Sequence, residues 1–435
     1  MSDLGHRSLH FIAIGGAGMS GLALVCHARG ASVTGSDRAE SSYFARVRGS
    51  GIDARLGHDA GQVPAGADVV VSTAIPDDNP ELRVARERGQ RVVHRGELLA
   101  ELCAGRRLIA VAGAHGKSTT AGMLAWATRG EASFFLGGEL PGVDPDGDAA
   151  NAGWAEDSEW VIAEADESDA SFLQLRPEVA VVTNIELDHH SRWSSLAQLA
   201  GAFRSFAEPA ASLALGPGAR LDEIATGQRV TRFDATGPGP PLRLSVPGEH
   251  NLVNARGALA ALDLAGFGEP AERAAALERF PGMLRRLERK GTRGGAVVYD
   301  DYAHHPTEVE AALAALRTLE PRRLIAVFQP HLYSRTKALA GRFGTALAGA
   351  DEVGVLDVYP AREEPVGPLA GVSGLDVARA VADRAGGRPV WWLRDIESAE
   401  RALAPRLGDG DLLATLGAGD VFRLADRLVA NGSER

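Results

Sequence analysis

GAHGKSTT, residues 113–120, is the stretch on which the reading of the fold turns. It follows the apolar run RLIAVAG (107–113), which reads as a buried strand, and it leads into a helical stretch from about Ser118. Gly113 and Gly116 permit a tight turn whose backbone N–H groups point inward at the positive end of the next helix, a setting suited to a polyphosphate. Lys117 can then reach the terminal phosphates, and the Ser118 hydroxyl can join the shell of Mg²⁺. The full phosphate-loop pattern asks for a glycine where Val111 stands, so an ordinary glycine-rich strand-to-helix turn is the bland alternative. Strand, turn, Lys-Ser and helix arriving together favour the phosphate site.

Working outward, WVIAEAD (160–166) and VAVVTNI (179–185) read as two further strands of the same parallel sheet. Their C-terminal ends carry polar residues, and in open parallel sheets those ends form the ligand crevice. EADESD (164–169) offers Glu164, Asp166, Glu167 and Asp169 to a magnesium ion, which wants hard oxygen ligands. Glu164 lies nearest the strand end and is the single best choice; the others can equally be solvated charges. NIELDHH (184–190) brings Asp188, His189 and His190, of which at most one histidine points easily into a pocket.

The same alternation of strand and helix precedes and follows this segment. LHFIAIGG (9–16), ASVTGSD (31–37) and ADVVVSTAI (67–75) are strands of an N-terminal unit. AVVYD (296–300), RLIAVFQ (323–329), EVGVLDV (352–358), PVWWL (389–393) and DLLATLG (411–417) are strands of a C-terminal one. With 435 residues, the chain reads as three α/β domains over 1–104, 105–280 and 281–435. Residues 208–250 are Pro/Gly-rich, with room for a small strand or two before helices from about Asn251 and Glu269.

GGAGMSG (15–21) matches the dinucleotide fingerprint at Gly16, Gly18 and Gly21, and Asp37 closes the second strand where a ribose would be received. Hydride transfer leaves the lysine-bearing phosphate turn idle. A protein that binds one nucleotide diphosphate as substrate and consumes another as energy source uses both. In the third segment, YDDYAHHPTEVEAAL (299–313) and FQPHLYSRTKAL (328–339) each place polar residues between a strand end and a helix: a site wall, or solvated loops. GEHNLVNA (248–255) carries Asn251 and Asn254, which can contact a base, order a hinge or cap a helix.

The formal net charge of −11, without a basic arm, argues against a duplex nucleic-acid partner. Cys26 and Cys103 are too few for a disulfide framework. The N-terminus has no signal-peptide apolar segment and no apolar run spans a membrane, so a cytoplasmic protein is expected.

The ordered set GGAGMSG, GSD, STAI, DNPEL, AGAHGKSTT, EADESDASF, VTNIELDH, PGEHNLVNA, DDYAHHPTEV, FQPHLYSRT, LDVYPAREEP and LGAGD resembles the Mur ligase family over nearly the entire chain. The resemblance implies an N-terminal Rossmann-like domain, a central P-loop ATPase-like domain and a C-terminal Rossmann-like domain. It implies ATP as co-substrate, Mg²⁺ (with Mn²⁺ as substitute), and the first amino-acid addition of peptidoglycan synthesis, L-alanine onto UDP-N-acetylmuramate, by a monomer or weak homodimer. In residues, it implies that Gly16, Gly18, Met19, Ser36, Asp37 and Ser72 hold the uridine diphosphate. ATP falls to Gly113, Gly116, Lys117, Ser118, Thr119, Asn251 and Asn254, with the asparagines near adenine, and the metal to Ser118, Glu164 and His189. Catalytic work falls to Lys117, His189, Tyr302, His304, Arg285 and Arg286, and the incoming amino acid to His331 and Arg335. The chain departs from the family pattern at Ala114 and Ser118 (both usually threonine), Leu284 (glycine) and Leu332 (arginine), and it is shorter over about 195–245.

Overall fold

The computed structural model describes residues 4–143, 147–186, 193–361 and 363–431. The chain folds as two compact units, Met1–Leu244 with Leu252–Pro281, and Ser245–Asn251 with Gly282–Arg435. Three sheets organise it, and each lies within one of the three expected segments.

The first sheet comprises β1 (Ser8–Ile12), β2 (Ser32–Asp37), β3 (Asp53–Leu56), β4 (Asp68–Val71) and β5 (Val92–His94). All neighbours are parallel in the order β3-β2-β1-β4-β5, so the strand order reverses beside β1 and a crevice opens at its C-terminal end. The second sheet comprises β6 (Arg107–Ala112), β7 (Ser133–Leu140), β8 (Ala150–Gly153), β9 (Trp160–Glu164), β10 (Val179–Val182), β11 (Ser212–Leu215) and β12 (Arg229–Arg232). Its order is β12-β11-β10-β6-β9-β7-β8, with only β8 antiparallel to its neighbour. β6 therefore lies between β10 and β9, and the phosphate turn leaves it between the two strand ends expected to carry acidic and polar groups. Continuous burial of Leu108–Ala112 explains the unbroken apolar text of β6: both faces of a central parallel strand are covered.

A single apolar cluster runs through these two sheets, from Phe11, Ile14 and Leu22 to Ala110, Val161, Phe172 and Phe203, which is why they form one compact unit. In the second unit the sheet is β13 (Glu288–Arg293), β14 (Ala296–Asp301), β15 (Arg323–Phe328), β16 (Glu352–Val355), β17 (Val390–Trp392) and β18 (Asp411–Leu416). The order is β13-β14-β18-β15-β16-β17, with β13 antiparallel. Alternate residues of β15 enter two separate cores, Leu324, Ala326 and Phe328 on one face, Ile325 and Val327 on the other, as the two-residue strand period requires.

The sequence reading lacks β3, β5, β7, β8 and β13. The texts of β3 (DARL) and β13 (ERKGTR) are polar because these are edge strands, with little to bury. Among the described residues no helix is long and apolar enough to cross a membrane.

Candidate active site

The phosphate turn is built by its neighbours. Gly113 (φ 137°) and Gly116 (φ 83°) both adopt conformations L side chains avoid, and a Cβ on them would lie 2.0 Å from Thr183 Oγ1 and 2.4 Å from Asn254 Oδ1. Asn184, just past β10, clasps the turn from below: its Oδ1 accepts from the His115 N–H (3.0 Å) and its Nδ2 donates to the His115 carbonyl (2.9 Å). Thr183 Oγ1 donates to the same carbonyl at 2.6 Å. Gly116 is the N-cap of the helix Lys117–Ala127 and brings no side chain to the first-turn N–H groups, leaving that positive end for an anion.

Lys117 Nζ lies 3.0 Å from Glu167 Oε2 and donates to the Gly113 carbonyl at 2.6 Å. Burial alone would lower its pKa; the nearby Glu167, Asp166 and Glu164 outweigh burial and raise it, so the ammonium stays charged at neutral pH. Ser118 Oγ donates to Glu164 Oε1 at 2.8 Å, and Glu164 Oε2 accepts from the Gly137 N–H at 2.7 Å. A hydroxyl and a carboxylate oxygen, meeting beside the cationic turn, are the hard donors that magnesium takes. These residues fit the ion. Thr119 is buried. His189 lies outside the described residues.

At the other crevice of this unit, Gly16 is the N-cap of the helix Ala17–Ala28, and Gly18 lies in its first turn. Asp37 Oδ2 accepts from the Gly15 N–H at 2.9 Å, so this carboxylate braces the glycine turn. Ser72 immediately follows β4 and is partly exposed. Two of the expected ligands stand behind the crevice rather than in it. Met19 is 3% exposed in the apolar core, and Ser36 is fully buried with its Oγ donating to Glu81 Oε2 at 2.5 Å. Asn254 borders the phosphate turn through Gly116, while Asn251 donates to the Pro247 carbonyl at 2.7 Å.

The second compact unit gathers the remaining candidates beyond the ends of β14, β15 and β18. Four rings follow one another: Tyr302 to His304 at 5.3 Å, His304 to His331 at 6.2 Å, and His331 stacked on Tyr359 at 5.7 Å. Arg335 Nη1 approaches His331 Nδ1 at 3.5 Å. Arg285 and Arg286 place their guanidinium carbons 5.0 and 5.1 Å from the centre of the Tyr302 ring. The pair divides its work: Arg285 binds the buried Asp300 (3.1 Å) and the Gly417 carbonyl (2.7 Å), whereas Arg286 lies 3.9 Å from Glu308 and is more open. Arg285 is thus a brace for Tyr302, whose N–H donates to the Arg285 carbonyl at 2.7 Å, and its charge is taken up inside the unit. Leu332 adopts φ 69° and its N–H donates to the Tyr359 carbonyl at 2.9 Å, a strained corner that sets His331 against Tyr359.

Sequence reasoning passed over Tyr359, Glu308 and Asn184 as individual residues, although each lies in a motif it quoted. Their roles depend on partners distant in the chain, which no spacing reveals.

The family profile described as Mur ligase family, catalytic domain, matches residues 8–107, and that described as Mur ligase, glutamate ligase domain, matches residues 285–419. A UDP-N-acetylmuramate–L-alanine ligase of Kineococcus radiotolerans is 44% identical, covering 98% of this chain and 96% of its own length. One of Mycobacterium avium is 42% identical, with 97% and 94% covered. In the solved UDP-N-acetylmuramate-alanine ligase of Thermotoga maritima the fold agrees with a TM-score of 0.82 at 26% identity, covering 98% of this chain and 99% of that one. The three-domain arrangement of Rossmann-like and ATPase-like parts is the one these proteins share. The chain belongs to the Mur ligase family, and it is an enzyme of the type that these near-full-length relatives represent.

Proposed function

We propose that this chain joins L-alanine to the lactyl carboxylate of UDP-N-acetylmuramate with cleavage of ATP to ADP and phosphate, in peptidoglycan biosynthesis. The observation that carries the reading is Lys117, partly buried at a glycine turn 3.0 Å from Glu167 and beside the Ser118–Glu164 pair, in a chain similar over nearly its whole length to relatives named for that activity. The domains have boundaries near residues 104 and 280, and the protein works in the cytoplasm as a monomer or weak homodimer.

A carboxylate is too poor an electrophile for an amine at neutral pH. Transfer of the γ-phosphoryl group of ATP to a lactyl oxygen, with ADP leaving, gives an acyl phosphate. The free amine of L-alanine attacks its carbonyl carbon, and the tetrahedral intermediate collapses to the amide, releasing phosphate and a proton. Lys117 and the backbone N–H groups of Gly116 and the first helical turn hold the transferring phosphoryl oxygens, the preorganised charge such transfers need. Ser118, Glu164 and His189 hold Mg²⁺, which when bound neutralises phosphate charge; Mn²⁺ substitutes. Gly16, Gly18 and Asp37 shape the turn that takes the uridine diphosphate, with Ser72 at its rim. His331 and Arg335 receive the amino acid and its carboxylate, an anion suited to a guanidinium fork, with Tyr302, His304 and Arg286 beside them as catalytic groups.

The test is incubation of the purified chain with ATP, Mg²⁺, UDP-N-acetylmuramate and single amino acids, scoring phosphate release and the mass of the coupled product. Phosphate release with L-alanine, matched by an alanyl adduct, is expected. Binding of the sugar nucleotide with no ATP consumption for any amino acid would overturn the proposal.

A further inference from the structure

Arg95 stands between the two nucleotide crevices of the first compact unit and belongs to neither motif. It opens the helix Arg95–Cys103 directly after β5. Its Nη2 donates to Asp166 Oδ2 and to Asp169 Oδ2, both at 2.7 Å, and its Nε donates to Asp169 Oδ2 at 3.1 Å. The side chain is 19% exposed and Asp169 only 5%, so this is a largely desolvated anchor rather than a surface ion pair. The third guanidinium nitrogen, Nη1, lies near the first turn of the helix Ala17–Ala28. A Cβ on Gly18 would lie 3.3 Å from Nη1, which puts that nitrogen beside the glycine turn at the end of β1.

The two aspartates sit on the loop that serves the phosphate turn. Glu164, two residues before Asp166, binds Ser118, and Glu167, the next residue after Asp166, pairs with Lys117. Asp166 thus ties Arg95 to a loop whose next residue pairs with Lys117, so one short segment touches both cations. One planar fork of five N–H donors can grip the acidic loop with one edge and offer the remaining edge to an anion; a lysine ammonium has no such second edge.

We propose that Arg95 is a positioning residue that couples the two nucleotide sites: Nη1 takes an oxygen of the diphosphate bound at the glycine turn while Nη2 and Nε hold Asp166 and Asp169. Filling the first crevice then fixes the segment from Glu164, at the end of β9, through Glu167 to Asp169, and the ATP site is set for its ligand. This rests on the reading of the glycine turn as the site of the uridine diphosphate. A mere strut between the two sheets would affect folding but would not make one ligand sense the other.

The test uses the full chain with Mg²⁺, a non-hydrolysable ATP analogue and UDP-N-acetylmuramate, measuring the Kd of each with and without saturating amounts of the other. In the parent protein each ligand is expected to tighten the other by about fivefold or more, by the same factor in both directions, since linkage is reciprocal. In Arg95→Lys the factor falls below about twofold, while the analogue alone binds within about threefold of the parent. Asp169→Asn, which keeps Arg95 but loosens its anchor, is expected to lower the factor as well, and it carries the test should Arg95→Lys fail to fold. Both ligands binding without linkage in the parent, or a variant retaining the parent's factor, overturns the coupling alone. A parent protein that binds the ATP analogue but no UDP-N-acetylmuramate overturns the reading of the glycine turn, and the coupling with it.

Discussion

Glu164→Gln isolates the contribution of one charge at the phosphate turn. The carboxylate bridges Ser118 Oγ at 2.8 Å and the Gly137 N–H at 2.7 Å. A glutamine of the same shape can accept from Gly137 through its carbonyl and donate to Ser118 through its amide, so both contacts survive as neutral hydrogen bonds. Replacing a charge-assisted bond by a neutral one costs on the order of 1 kcal/mol in folding. Against a divalent ion the loss is larger, because a full negative charge leaves the first coordination shell. With about 1.5–3 kcal/mol as the value of a contact to a charged group, half-saturation by Mg²⁺ should rise roughly 10- to 150-fold. The assay is ATP cleavage against Mg²⁺ concentration at fixed ATP, with thermal unfolding as the check on folding. Activity should return in part at high Mg²⁺, and UDP-N-acetylmuramate binding should match the parent. A half-saturation point within about twofold of the parent, in a folded variant, would refute the ligand role of Glu164.

Lys117→Ala should lower ligation by at least about 10²–10³-fold, the usual loss of one preorganised charge donor, while UDP-N-acetylmuramate binding by calorimetry persists; joint loss of both would refute the partition of the two sites. Asn184→Ala removes both clasps on the His115 backbone and should destabilise the chain by about 1–3 kcal/mol in denaturant unfolding, with a raised KM for ATP. His250 is held down to about pKa 4 by burial and then by Arg286. The unfolded chain takes up this proton near pH 6.5 and the folded one only near 4, so His250 favours folding least at low pH. Stability is lost as pH falls through that window, by at most about 3 kcal/mol and less to the extent that the ring meets solvent. His250→Gln should flatten this slope between pH 7 and 5 in denaturant melts; an unchanged slope would assign the acid sensitivity elsewhere.

The parts of the fold that the sequence disclosed are those whose physics is local. RLIAVAG, WVIAEAD and VAVVTNI are buried on both faces and read as continuous apolar runs, so the central strands and the turn between them were legible, together with Lys117, Ser118 and Glu164. The edge strands DARL and ERKGTR were not, because their side chains are largely polar and partly or fully exposed and carry no apolar pattern, unlike VWW at the opposite edge of the third sheet. Motif position alone also could not distinguish a group that faces a ligand from one that supports it. Ser36 and Asp37 are adjacent in text, yet Ser36 points into the sheet toward Glu81 while Asp37 braces Gly15. Arg285 and Arg286 read as an equivalent pair, and only their partners, the buried Asp300 for one and Glu308 for the other, separate them. Arg95 had no motif at all; its meaning lies in Asp166 and Asp169, more than seventy residues away.

The central claim is that the phosphate turn at Lys117 delivers a phosphoryl group to a carboxylate before the amine arrives. Its most direct test is ligation with UDP-N-acetylmuramate carrying ¹⁸O in the lactyl carboxylate, followed by mass analysis of the inorganic phosphate released. One labelled oxygen per phosphate, in step with alanyl product and absent with Lys117→Ala, is the predicted result. Product formation with phosphate free of label would contradict it.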